Sequence, residues 1–170
     1  GSLHGGGHTV ALNIESDDRY IAVFYNIGDA FYFNGGEISG YIDSLTIVGN
    51  LLSSSPNGGG FCINNLGTIY HCVSKLRINN IGWFGGIAFW NYGNISSCIN
   101  YTSASHPAVG GISYFGVYKA NFIDCKNYGN FKICGEGTAG ICASSNGSNI
   151  LGCANYGNFS SDQSGDVESQ

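Results

Sequence analysis

Ser97, His71 and Asp124 are the residue types of a nucleophile, a base and an orienting acid. Each stands one position before a cysteine: Cys98, Cys72 and Cys125 respectively. A catalytic triad needs three side chains that converge on one point and hand a proton along hydrogen bonds. A shared offset in successive repeats instead places the three in one column, with side chains running parallel, so no catalysis is expected of them. The carboxylates are scattered as well: Asp29, Glu37, Asp43, Asp124 and Glu136. Acid/base chemistry on acidic sugars needs a close pair, and a calcium site needs several together. Asp43 and Asp124 fall near one column, but three repeats apart, roughly 14 Å at sheet spacing. Asp17-Asp18-Arg19 reads as a solvated turn. There are 7 cysteines, yet no Cys-x-x-Cys accompanies His4, His8, His71 and His106, so neither a zinc site nor a disulfide framework is indicated. No catalytic residue, metal ligand or cofactor is assigned, and the chain is not expected to be an enzyme.

The same cysteines reveal what positions them. Cys72, Cys98, Cys125 and Cys153 are spaced by 26, 27 and 28 residues. Three residues before each lies a large apolar residue: Ile69, Ile95, Phe122 and Ile150. Small pairs lie upstream, Gly59-Gly60, Gly85-Gly86, Gly110-Gly111 and Ala139-Gly140, and the last three are followed by isoleucine. Leu45 takes the cysteine position 27 residues ahead of Cys72. A period of this length signals a stacked architecture. Helical spacing of apolar residues is absent, while glycine and asparagine punctuate short segments. The expected fold is therefore all-β: a parallel β-helix, or β-solenoid, of about six coils of roughly 25 to 29 residues.

Stacking gives each column a physical role. Cys72, Cys98, Cys125 and Cys153 read as buried thiols that pack as small apolar groups. Cys62 and Cys142 share another column, three coils apart. Asn100, Asn127 and Asn155, two residues after the cysteine, can donate amide to carbonyl up the stack as a ladder. Asparagine also tolerates the left-handed conformation that a bend there would need. Tyr101, Tyr128 and Tyr156 follow by one and are expected to stack ring on ring. A carbohydrate-binding aromatic strip is the functional alternative for these three tyrosines. Asn94, Asn100, Asn146 and Asn158 begin Asn-x-Ser/Thr sequences, and glycosylation of Asn100 would conflict with its place in the ladder.

Composition narrows the class. The 170 residues suit one domain, and with charged residues at 10% and aromatics at 14% the chain should fold rather than remain disordered. A net charge of −5, with 6 Lys and Arg in no run, disfavours nucleic acid as a partner. No apolar stretch reaches the roughly 18 residues needed to insert into a membrane. Without a starting Met or signal peptide, the chain reads as a mature product or an excerpt. Residues 1–160 are assigned to the solenoid. An irregular, aromatic excursion is expected at 26–40, and a polar, acidic tail or linker at 161–170.

The repeat resembles the GLUG type found in bacterial surface and secreted proteins, including large adhesins and the repeat regions of immunoglobulin A-cleaving metalloproteases. The residues that carry the resemblance are Gly85-Gly86-Ile87, Asn91-Tyr92-Gly93-Asn94-Ile95 and Cys98-Ile99-Asn100. They recur as Gly140-Ile141, Asn146-Gly147-Ser148-Asn149-Ile150 and Cys153-Ala154-Asn155-Tyr156-Gly157. Gly5-Gly6-Gly7-His8-Thr9-Val10 looks like the segment that often precedes such repeats. Tyr118-Lys119-Ala120-Asn121 departs from the pattern. The resemblance implies a right-handed β-helix on a bacterial exterior, secreted or at the cell surface, and brings no catalytic residue. The function expected from it is structural: a stalk, an adhesin shaft or a self-assembling, head-to-tail filament subunit. Its partners would be further copies of itself or the rest of a longer surface protein. The alternatives are an adhesin module that binds a glycan or host surface and, further off, a pectate-lyase-like polysaccharide enzyme.

Overall fold

The computed structural model describes residues 1–30, 37–38, 40–53, 57–79, 81–104, 108–133 and 137–161. It is a β-solenoid with four walls. The first wall is a six-stranded parallel sheet of Ser2–His4, Tyr41–Asp43, Thr68–Tyr70, Asn94–Ser96, Asn121–Ile123 and Asn149–Leu151. The second, also six-stranded, comprises Thr9–Glu15, Thr46–Leu52, Val73–Asn79, Ile99–Asn100, Lys126–Asn127 and Ala154–Asn155. The third holds Tyr20–Ile21, Asn57–Gly59, Trp83–Gly85 and Ala108–Gly110, and the fourth Phe24–Ile27, Cys62–Asn65, Ala88–Asn91, Ser113–Gly116 and Cys142–Ser145. The described residues contain no helix, and so none long and apolar enough to cross a membrane. Four turns carry a strand on every wall. That is fewer than the six coils the sequence period suggests, although the first two walls continue to six layers.

Register is set by the apolar columns, because a slip of one residue would turn each inward side chain outward. Ile42, Ile69, Ile95, Phe122 and Ile150 are Cα partners in succession, with Leu3 below Ile42. Ile69, Ile95 and Phe122 are fully buried, as are Phe61, Ile87 and Ile112 on the opposite side of the coil. Burying each such side chain contributes about 1.5 to 3 kcal/mol.

Residues 20–27 form two short strands, Tyr20–Ile21 and Phe24–Ile27, with a corner between them. The stretch from Leu51 to Gly60 begins as the end of Thr46–Leu52 and finishes as Asn57–Gly59. Within the 26–40 excursion, Asp29–Ala30 and Glu37–Ile38 form the molecule's one antiparallel pairing among the described residues. The rest of that excursion (31–36 and 39) and the tail from 162 lie outside the described residues.

Candidate functional site

The column that carries Ser97, His71 and Asp124 is a bend. Ser44, His71, Ser97 and Asp124 have φ of 50°, 50°, 51° and 53°, and Gly152 continues the column at 64°. This left-handed conformation is uncommon for residues other than glycine, and turns the chain from the first wall into the second. It also corrects the sequence reading of where the strain lies. Asn100, Asn127 and Asn155 have no positive φ; the residues before Cys72, Cys98, Cys125 and Cys153 do. No hydrogen bond joins His71, Ser97 and Asp124. The His71 ring stacks on Tyr70 with centroids 3.8 Å apart. Asp43 falls one column away from Asp124, aligned with Tyr70, Ser96 and Ile123, and its carboxylate accepts from His4 Nδ1 at 3.0 Å. No group of three or more His, Cys, Asp or Glu side chains suited to a metal occurs among the described residues.

The cysteine column is a thiol ladder. Cys72, Cys98 and Cys125 are fully buried, and Cys153, in the last layer, is half-buried. Each buried thiol reaches a carbonyl of the preceding coil: Cys72 to Ile42 at 3.8 Å, Cys98 to Ile69 at 3.5 Å and Cys125 to Ile95 at 3.4 Å. Burial pushes the Cys98 and Cys62 thiols well up. At the end of the ladder the Cys125 backbone N–H donates to the Cys153 sulfur at 3.4 Å. Interaction with the neighbouring Cys125 thiol, and after it this N–H, brings Cys153 down to about 7 against the opposing effect of its partial burial, and the same pairing raises Cys125. All six described cysteines are free.

The asparagine ladder runs beside it. Asn100 Nδ2 donates to Asn127 Oδ1 at 2.8 Å, and Asn127 Nδ2 to Asn155 Oδ1 at 2.7 Å. Each amide also closes a local turn: Asn127 Nδ2 donates to the Gly129 carbonyl and Asn127 Oδ1 accepts the Gly129 N–H. Across the coil stand the glycine pairs. A Cβ on Gly86 would lie 2.5 Å from Asn100 Cγ, one on Gly111 would lie 2.6 Å from Asn127 Cγ, and one on Gly140 would lie 2.5 Å from Asn155 Cγ. The glycines and asparagines are thus one device: the missing side chain on one wall is the space the amide occupies on the other. This pairing explains why both recur at fixed offsets in the repeat.

Tyr101, Tyr128 and Tyr156 stack with centroids 5.1 and 4.9 Å apart and planes within 13°. Lys75 Nζ lies 5.3 Å from the Tyr101 centroid on the other side. Both faces of Tyr128 are therefore covered, and the strip offers ring edges and hydroxyls along its length. A sugar stacks on a ring face, and the described residues leave only the outer face of Tyr156 free for one.

Four further amide ladders went unread in the sequence, one of them Asn64 Nδ2 donating to Asn26 Oδ1 at 2.8 Å. Asn65 Nδ2 donates to Asn91 Oδ1 at 2.8 Å inside the fourth wall. Asn121 Nδ2 donates to Asn94 Oδ1 and Asn149 Nδ2 to Asn121 Oδ1 on the first wall's outer face. Asn50 Nδ2 donates to Asn13 Oδ1. The Asn-x-Gly-Asn run at 91–94 carries two of these positions, so the signal was present. Also unread was a second apolar cluster of Ile63, Phe89, Ala108 and Tyr114, on which Trp90 and Phe115 pack. Phe89 and Tyr114 lie two residues after Ile87 and Ile112, the offset that announces them. Of the Asn-x-Ser/Thr asparagines, Asn100 is buried while Asn94, Asn146 and Asn158 are exposed.

The last layer shows the columns uncovered. Ile150 is 44% exposed, Leu151 60% and Tyr156 57%, whereas Ile95 and Phe122 in the first of these columns are at 0%. No protein-family model, curated protein or solved structure matches this chain.

Proposed function

We propose that this chain is a non-enzymatic scaffold, working outside a bacterial cell as the shaft of a surface protein or as a head-to-tail subunit. The observation that carries the reading is the state of the outermost layers. One apolar column runs Leu3, Ile42, Ile69, Ile95, Phe122, Ile150, and its two end residues are both exposed, Leu3 at 42%. Strand edges that present unpaired backbone groups and apolar side chains template a further strand. Setting Leu3 of a second copy over Ile150 continues the column with like on like. The asparagine and tyrosine ladders support the same reading, since Asn155 and Tyr156 each offer an unused side to a next layer. The GLUG-type resemblance is the support for an extracellular, bacterial setting.

Sedimentation velocity over a wide concentration range tests the head-to-tail version. Association that weakens on Ile150→Asp is the expected result, and a single small species at every concentration removes that version. The shaft version is tested by grafting a copy of the Phe122–Asn149 coil beyond the last layer. It should raise the melting temperature by covering Ile150 and Tyr156, and an unchanged melting temperature counts against it.

A further inference from the structure

The second wall carries a ledge. Val73–Asn79 is paired along all seven residues with Thr46–Leu52 on its earlier side. On its later side Ile99–Asn100 pairs with Val73 and Ser74 alone. Asn100 then bends the chain inward, and Thr102 and Ala104 are buried. Backbone groups of a strand face its two neighbours alternately. Tyr101 N–H donates to the Ser74 carbonyl and Leu76 N–H to Thr102 Oγ1, while the Asn79 carbonyl accepts from Ser53 on the other side. Ser74, Leu76 and Ile78 therefore face the ledge. Beyond the Leu76 N–H, the Leu76 carbonyl and both backbone groups of Ile78 point along it, and no hydrogen bond among the described residues takes them up.

A groove of about 710 Å³ follows this edge, lined by Lys75, Leu76, Arg77, Ile78, Tyr101 and Ser103. It runs on into a second space of about 310 Å³ that Ile78 and Ser103 also line, with Phe131 and Lys132 beyond. The chain has 6 basic residues against 11 acidic ones, and three of the basic ones, Lys75, Arg77 and Lys132, border this groove. Arg77 is exposed.

We propose that the ledge binds an acidic peptide in extended conformation, which adds to Leu76–Asn79 as a parallel strand. The molecule itself shows what covers such an edge. Thr9–Glu15 is covered by Thr46–Leu52, and Thr46–Leu52 by Val73–Asn79, each time by a parallel strand in register. A peptide in the next position satisfies the open backbone groups by strand addition. Its side chains alternate: a carboxylate stands over Arg77, and apolar side chains on either side of it stand over Leu76 and Ile78. This binding is independent of the scaffold reading, because it uses the side of the solenoid rather than its ends.

The test is fluorescence anisotropy with a labelled octapeptide of alternating valine and glutamate, at low and at high salt. Binding is expected, weakened by salt and weakened about tenfold by Arg77→Glu, a surface change whose fold is checked by circular dichroism. The same peptide with its alternate amides N-methylated should also lose about tenfold, and this arm needs no variant of the protein. Absence of binding at low salt overturns the proposal. Equal binding of the N-methylated peptide overturns it too, since charge alone would then be holding the ligand. Binding of polygalacturonate that Arg77→Glu abolishes, without binding of the peptide, makes the groove an acidic-glycan site and overturns the strand-addition reading.

Discussion

The first three coils and the last three solve one corner in two ways. In the first three, the second wall is a straight seven-residue strand, Thr9–Glu15, Thr46–Leu52 or Val73–Asn79. In the last three the same wall is two residues long, ending at Asn100, Asn127 and Asn155. One column tracks the change: Val10, Ile47, Ser74, Asn100, Asn127, Asn155. Where it is aliphatic the strand runs on. Where it is an amide, the side chain bonds the backbone two residues ahead and the chain bends. Ser74 is the splice, its hydroxyl 3.0 Å from that of Thr102 in the first bent coil. A period of about 27 residues therefore fixes the stacking but not the outline of each coil. The outline changes along one column, aliphatic in the first two coils, serine in the third and amide in the last three, and the mismatch between the two outlines creates the ledge.

Exchanging the two solutions is the strongest way to break this comparison. Ile47→Asn places an amide between Val10 and Ser74, neither of which can extend a ladder, in a fully buried site. A loss of about 4 kcal/mol is expected in urea unfolding, from the removed aliphatic burial and the unpaired amide together. The reverse change, Asn127→Leu, removes the acceptor for Asn100, the donor to Asn155 and both bonds to Gly129. It should cost about 3 kcal/mol, because two of the partners left behind, Asn100 and Gly129, are buried. If Asn127→Leu proves neutral, the amide follows the bend rather than causing it.

The sequence carried the stack more clearly than the corners. Like residues recur over like, so Cys72, Cys98 and Cys125, or Asn100 and Asn127, could be placed in columns by counting. The corners depend on backbone conformation, which residue type records poorly. Ser44, His71, Ser97 and Asp124 share a left-handed φ without sharing a side-chain chemistry, and only Gly152 in that column advertises it. For the same reason Ser97, His71 and Asp124 invited a catalytic reading that their common role as bend residues explains more simply. The ledge was also illegible. It arises from strand lengths in two neighbouring coils, and Lys75 and Arg77 look isolated in sequence until Asn100 turns the next coil away from them.

The tyrosine strip belongs to the bent coils alone and sharpens the contrast between the halves. Tyr128→Ala removes two stacked contacts, with Tyr101 and Tyr156, and should cost about 1 to 2 kcal/mol. Lys75→Ala, which removes only the cation over Tyr101, should cost about 0.5 kcal/mol. Equal losses would mean that the splice coil contributes as much to the strip as the bent coils do.

The smallest effect on stability, and the clearest test of inner against outer layers, comes from the thiols. Cys98 is sealed between coils, whereas Cys153 sits in the last layer with a neighbouring thiol, Cys125, on one side only. The thiolate is the reactive form. With its pKa near 7, alkylation of Cys153 by iodoacetamide should rise from about pH 6 to about pH 8 and then level off. Cys142 is also half-buried but is pushed up to about 11 by desolvation, so its rate should still be climbing above about pH 9. Cys98 should react only when the chain unfolds. Peptide mapping by mass spectrometry separates the three. Cys125→Ala removes the neighbouring thiol but keeps the backbone N–H that donates to the Cys153 sulfur, so the midpoint for Cys153 should move part of the way upward toward an ordinary thiol. A midpoint that stays near 7 in that variant would mean that something other than the Cys125 thiol holds the Cys153 thiolate. Alkylation of Cys98 as fast as that of Cys153 would show the inner layers opening as readily as the last one, which contradicts a core closed by stacking.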